Sequence, residues 1–246
     1  MLGSLIFSFL LSPNALLIAA AVVPAAALMI TIYRQDKLER EPTGLLIALL
    51  GFGALATVLA VVTESIGAVA LAYFLPSGEG SLAYNVWMYF IVVALSEEGF
   101  KYLMLRWRTW RSKEFNCRFD GVVYATFVSL GFALLENIGY VLMYGLGAAL
   151  MRAITAIPGH ASFGVFMGAC YGMARSCENR GEHDKSLIWS ALALLLPTLI
   201  HGYYDFIAIG GSEENTLSFI VFVLIVFIAA FALVRRLSKT DRYISY

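Results

Sequence analysis

The sequence predicts an all-α fold, a polytopic transmembrane helix bundle of about seven spans, and three observations predict it. Of the 246 residues 60% are hydrophobic and only 14% charged. With a mean hydropathy of +0.79, this is more apolar surface than a soluble domain of that size can bury. The apolar residues also gather into successive stretches of about 20, the length that a hydrocarbon core of roughly 30 Å requires of a helix. Finally, Lys and Arg collect in alternate connections between those stretches, the asymmetry that orients membrane helices.

Taken in order, the spans fall at about 12–33, 44–63 with a run that extends towards 75, 82–105, 120–144, 150–174, 187–209 and 216–234. The opening MLGSLIFSFLLSPN has an apolar centre but neither a basic flank nor a small-residue cleavage signature, so it reads as an extension of the first helix. Connections 34–43, 106–119 and 175–186 and the C-terminal tail carry the basic residues, whereas 76–81 and 210–215 carry none. By the positive-inside rule the N-terminus is outside and the C-terminus inside. Trp87, Trp107, Trp110 and Trp189 lie near span ends, as an aromatic belt requires. Cys117, Cys170 and Cys177 have no zinc-type spacing and read as free thiols. A formal net charge of zero gives no reason to expect nucleic acid as a partner. Without repeats or linkers, residues 1–246 form a single domain whose immediate partner is the lipid bilayer.

Against this background the ionisable residues inside the spans stand out: Glu64, Glu97, Glu98, Lys101, Glu136, Arg152, His160, His201 and Asp205. A charge at the centre of a membrane helix costs roughly 2.5–3.5 kcal/mol on insertion scales, and such groups face the bundle interior, where they mark a pathway or a site. Lys101 follows Glu97 by four residues and Glu98 by three, so one ammonium reaches either carboxylate while the other carboxylate points elsewhere. Phe132 and Glu136 are four apart, with Asn137 beside Glu136. His201 and Asp205 share a face, so the carboxylate can fix the imidazole tautomer. At about 1.5 Å per residue, Glu136, His160 and His201 lie at one depth. Glu97 and Glu98 sit shallower, unless their helix continues through RWRTWR. Glu64 reads as a helix-end residue and Arg152 as an arginine snorkelling to the outer surface. Gly164, Gly168 and Gly172 form a small-residue ridge for close helix packing. Two bland readings stand beside the site: Glu97, Glu98 and Lys101 as a structural ion pair, and His160 as a packed histidine.

In this order the residues resemble the PrsW-type intramembrane proteases, related to the CAAX prenyl-proteases and bacteriocin-processing membrane proteases. The matches are E-E-x-x-K at Glu97, Glu98 and Lys101, F-x-x-x-E at Phe132 and Glu136 followed by Asn137, the lone His160, and H-x-x-x-D at His201 and Asp205. YRQDKLEREP resembles the element Y-x-x-D-x-x-E-x-E-P, matched at Tyr33, Asp36, Glu39, Glu41 and Pro42. The core motifs cover about residues 30–210. The resemblance implies an endopeptidase of the bacterial cytoplasmic membrane that cleaves a membrane-tethered protein substrate, an anti-sigma factor being the best-known kind.

For amide hydrolysis, the Glu97/Glu98 pair is expected to activate water, with Lys101 holding one member charged. Glu136, His160 and His201 match the two-histidine, one-glutamate set of a catalytic zinc centre, or hold the water and oxyanion with no metal. A divalent metal such as zinc is thus the one cofactor that the sequence suggests. The rival class is a proton- or cation-coupled transporter, in which the same buried groups form a relay. It would carry inverted repeats, and none is visible.

Overall fold

Mostly apolar runs without internal turn signals satisfy their backbone hydrogen bonds locally, and in a bilayer only helices do so segment by segment. The computed structural model describes residues 13–75, 78, 80–209 and 213–244. The opening segment 1–12 and parts of the 76–81 and 210–215 connections lie outside them. The described helices are α1 (Pro13–Gln35), α2 (Thr43–Phe74), α3 (Leu82–Val86), α4 (Leu95–Thr109), α5 (Asp120–Ile154), α6 (Ala156–Asn179), α7 (His183–Ala208) and α8 (Glu213–Lys239). A π-helical segment, Trp87–Ala94, joins α3 to α4 in one run. Among the described residues the extended pairing amounts to an isolated antiparallel bridge between Cys117 and Tyr243. Cys117, Cys170 and Cys177 are free and buried.

Among the described residues five stretches are long and apolar enough to cross a membrane, one of them the 60 residues Asp120–Asn179. That stretch is two passages. Gly145 breaks it with φ 77° and ψ −163°, a conformation that costs glycine little and other residues much. The pairing of glycines then shows the direction of the two arms. A methyl group on Gly168 would overlap the carbonyl of Gly121, and one on Gly172 that of Arg118, while Gly164 faces Thr126 and Ser129. Contacts that step backwards in this way mean that α5 and α6 run antiparallel. Gly131 against Leu50 and Gly53 against Val128 bring α2 equally close to the other side of α5. The expected glycine ridge is therefore a packing surface, and it places α5 at the centre of the bundle.

Two boundaries, at extensions that the sequence left open, matter for the site. Helix α2 runs on to Phe74, so Glu64 is interior to the helix and does not end it. Helix α4 runs to Thr109, which moves Glu97 and Glu98 deeper than a helix ending at residue 105 allows. The π-helical segment lies immediately ahead of them, and such segments, rare elsewhere, concentrate at functional sites.

Candidate active site

Four helices deliver the site. Helix α4 brings Glu97, Glu98 and Lys101, α5 brings Glu136 and Asn137, α6 brings His160, and α7 brings His201 and Asp205. The centre is the Lys101 ammonium, 0% exposed. It donates to Glu98 Oε1 at 2.7 Å and Glu97 Oε2 at 3.1 Å, and lies 3.1 Å from His160 Nδ1. Its Nζ also stands 3.9 Å over the Phe132 ring, so the phenylalanine of the F-x-x-x-E motif forms the floor beneath the cation.

These contacts fix the protons. An ammonium has no lone pair, so His160 Nδ1 must accept, and its Nε2 carries the hydrogen donated to Glu136 Oε2 at 2.9 Å. His201 is placed differently. Its Nδ1 lies 3.0 Å from Glu98 Oε1 and its Nε2 lies 3.3 Å from Asp205 Oδ2. With an acceptor at each nitrogen, the ring serves as an imidazolium that donates twice, or as a ligand that has exchanged one proton for a cation. The two imidazoles sit edge to face, 5.4 Å between centroids, and Phe163 stacks on His201 at 4.8 Å.

The eight residues singled out in the sequence thus share one neighbourhood, divided into two halves bridged by Lys101. The triad whose ligand atoms all lie within 4.8 Å of one another is Glu97, Glu98 and His201. The expected ligand set differs: His160 and Glu136 are taken up with each other in the second half. A divalent ion fits the first half on a further observation, since Glu98 Oε1 is saturated while its Oε2 is buried without a partner. Two carboxylates and an imidazole are also donor types suited to zinc.

Two residues escaped the sequence reading. Arg152 does not reach outward. Its guanidinium pairs with Glu136 Oε2 at 2.7 Å, donates to Asn137 Oδ1 at 2.7 Å and lies 3.9 Å over Tyr140. The chain reversal at Gly145 carries it back there, and an arginine directly after a glycine-broken span is the signal that was available. Glu64, with a buried Oε1 that has no partner, lines the same cavity as Glu97, Glu136, Arg152, His160, His201 and Asp205. This cavity, about 620 Å³, is of the size of small-molecule and cofactor sites. It combines the charged cluster with an apolar wall from α2 and the π-helical segment.

Comparison with known sequences decides between hydrolysis and ion relay. The sequence model for PrsW family intramembrane metalloproteases matches residues 41–234. Protease PrsW of Halalkalibacterium halodurans is 32% identical over 226 residues, spanning 92% of this chain and 99% of that protein. Protease PrsW of Oceanobacillus iheyensis is 32% identical over 223 residues, 91% and 96% of the two chains. That of Bacillus subtilis is 29% identical over 210 residues, 84% and 90% of the two chains. No solved structure matches. With a membrane helix bundle, a buried Glu–Glu–Lys–His cluster and relatives aligned almost end to end, this chain belongs to the PrsW family of intramembrane metalloproteases.

Proposed function

We propose that Glu97 is the proton acceptor for the water that attacks the scissile peptide, that Glu98 is a ligand of the divalent ion, and that Lys101 is a positioning residue. The observation that carries this assignment is the asymmetry of the pair. Glu97 lines the cavity, whereas Glu98 does not and is wholly buried among Lys101 and His201. Glu97 takes a proton from water as oxygen bonds to the carbonyl carbon, then returns it to the departing nitrogen as the C–N bond breaks. Among the described residues that line the cavity Arg152 is the one lysine or arginine, and on turning from Glu136 and Asn137 it would face the tetrahedral oxyanion. Glu98 and His201, with one oxygen of Glu97 while its other oxygen serves the water, would hold the divalent ion of the family. When bound, that ion supplies Lewis acidity at the carbonyl. Asp205 orients His201, and the Glu136–His160 pair holds Lys101 from the opposite side.

The substrate is a membrane-tethered protein, an anti-sigma-factor-like single-span protein being the kind proposed. The whole chain acts as one catalytic unit with its basic connections inside. The test is co-reconstitution of purified protein with a tethered single-span substrate, found by comparing membrane proteomes of cells expressing wild type and Glu97→Gln. Glu97→Gln should keep the wild-type melting temperature and lose cleavage. Cleavage by this variant at the wild-type rate would sink the assignment.

A further inference from the structure

The Y-x-x-D-x-x-E-x-E-P element is left unused by the chemistry above, and although its Glu39 is exposed, its other two acidic residues are not solvated surface. Asp36 is 2% exposed and Glu41 4%, both in the connection between α1 and α2, and they meet Asp120, 1% exposed, at the first residue of α5. One carboxylate oxygen from each lies within 4.8 Å of the others.

Three buried carboxylates repel one another, so something must neutralise them. The ion pairs among the described residues involve none of the three. Neutral donors satisfy only part of the cluster. Tyr124 donates its hydroxyl to Glu41 Oε2 at 2.6 Å, and the backbone N–H groups of Asn116 and Cys117 donate to Asp120 Oδ2 at 3.0 and 2.6 Å. Both oxygens of Asp36 are buried without a partner of good hydrogen-bonding geometry, the backbone N–H of Glu41 being only a nearby donor, and Asp120 Oδ1 is also buried without one. Unneutralised, the cluster opposes its own ionisation.

We propose that Asp36, Glu41 and Asp120 form a second cation site, for a hard divalent ion, that ties the α1–α2 connection to the start of α5. An all-oxygen donor set without imidazole or thiolate selects Mg²⁺ or Ca²⁺ over zinc. The 4.8 Å limit on the separation of the oxygens admits both ions as candidates. Opposed ligands are about 4.0–4.2 Å apart around Mg²⁺ and about 4.6–5.2 Å around Ca²⁺, twice the respective bond lengths. The site is independent of the catalytic cluster and needs no assumption about substrate.

The experiment uses full-length protein in detergent, stripped of divalent ions and titrated with Mg²⁺ or Ca²⁺ while its melting temperature is followed. One of the ions should raise the wild-type value by at least about 3 °C, with the better ion identifying the size of the cage. Asp36→Asn and Asp120→Asn should each lose that rise, and Glu98→Gln should keep it. The proposal is overturned if neither ion moves the wild type, which would mean protons neutralise the cluster. It is equally overturned if the rise survives both Asn variants and disappears in Glu98→Gln. Should the Asn variants fail to fold, Tb³⁺ emission excited through Tyr124 gives the answer. Saturable emission from the wild type that the better ion displaces and Tyr124→Phe weakens supports the site; no emission from the wild type, or emission undiminished in Tyr124→Phe, refutes it.

Discussion

Lys101 is the residue on which the catalytic cluster depends, because one ammonium holds Glu97, Glu98 and His160 at once. Removing a buried partner leaves its counter-charges uncompensated, which costs about 3–5 kcal/mol. Lys101→Met should therefore lower the melting temperature and the activity together. Glu97→Gln should separate the two, with turnover reduced by at least about 10²–10⁴-fold and stability retained. A structural ion pair gives the opposite pattern, in which a Glu97→Gln/Glu98→Gln/Lys101→Met triple variant recovers both fold and activity. Arg152 offers an independent check. If it serves the oxyanion, Arg152→Gln should reduce kcat by about 10²–10³-fold with little change in KM, measured on the tethered substrate. An equal rise in KM at constant kcat would instead make Arg152 a substrate-binding group. The residues of the site were legible because ionisable side chains are conspicuous in apolar spans. Their partners were not, since whether His160 faces Glu136 or His201 depends on the rotation of α6. Arg152 and Glu64 were misread because both lie close to expected span ends, where a charge needs no explanation.

At the scale of the element, the antiparallel pair α5–α6 holds Glu136 against His160, and the pair is close only because of its glycines. Gly168→Ala would push a methyl group into the Gly121 carbonyl, a backbone atom that no rotamer change can move. Overpacking of this kind costs at least about 1–3 kcal/mol. It should show as a lower melting temperature together with lost activity, as Glu136 and His160 move apart. Gly99→Ala is the matched control. Although it neighbours Glu98, nothing lies within 4 Å of its added methyl, so the variant should melt at or above the wild-type temperature through its gain in helix propensity, about 1 kcal/mol. The small-residue spacing was readable from sequence, as were the helices, because apolar length and period are local properties. The Trp87–Ala94 π-helical segment was not. Its wider turn leaves no mark in hydropathy and depends on what Phe90 meets, which is Gly202 on α7.

For the whole molecule, the basic connections predict a topology that cysteine labelling can check. Residues 34–43, 106–119 and 175–186 and the C-terminal tail should be reached from the inside, and 76–81 and 210–215 from the outside. Labelling of 106–119 from outside would invert the assignment. The tail itself is anchored on the side of the α4–α5 connection. Ile244 N–H donates to the carbonyl of Asn116, and Phe119 N–H to Asp241 Oδ1. No local pattern signals such long-range ties, so the outline of the bundle was legible and its closure was not. The composition of the catalytic cluster also bears on how the chain enters the membrane. Within α4 a single lysine offsets one of two glutamates, and the other charge finds its partner in His201, 103 residues further on. At about 5–20 residues per second of synthesis, that partner emerges roughly 5–20 s after the helix that needs it. Helix α4 must then wait at the insertion machinery, or beside the earlier helices, before it can settle in lipid. A chain halted before residue 201 should leave α4 open to labelling by a water-soluble thiol reagent at an introduced cysteine, whereas one halted after α7 should protect it.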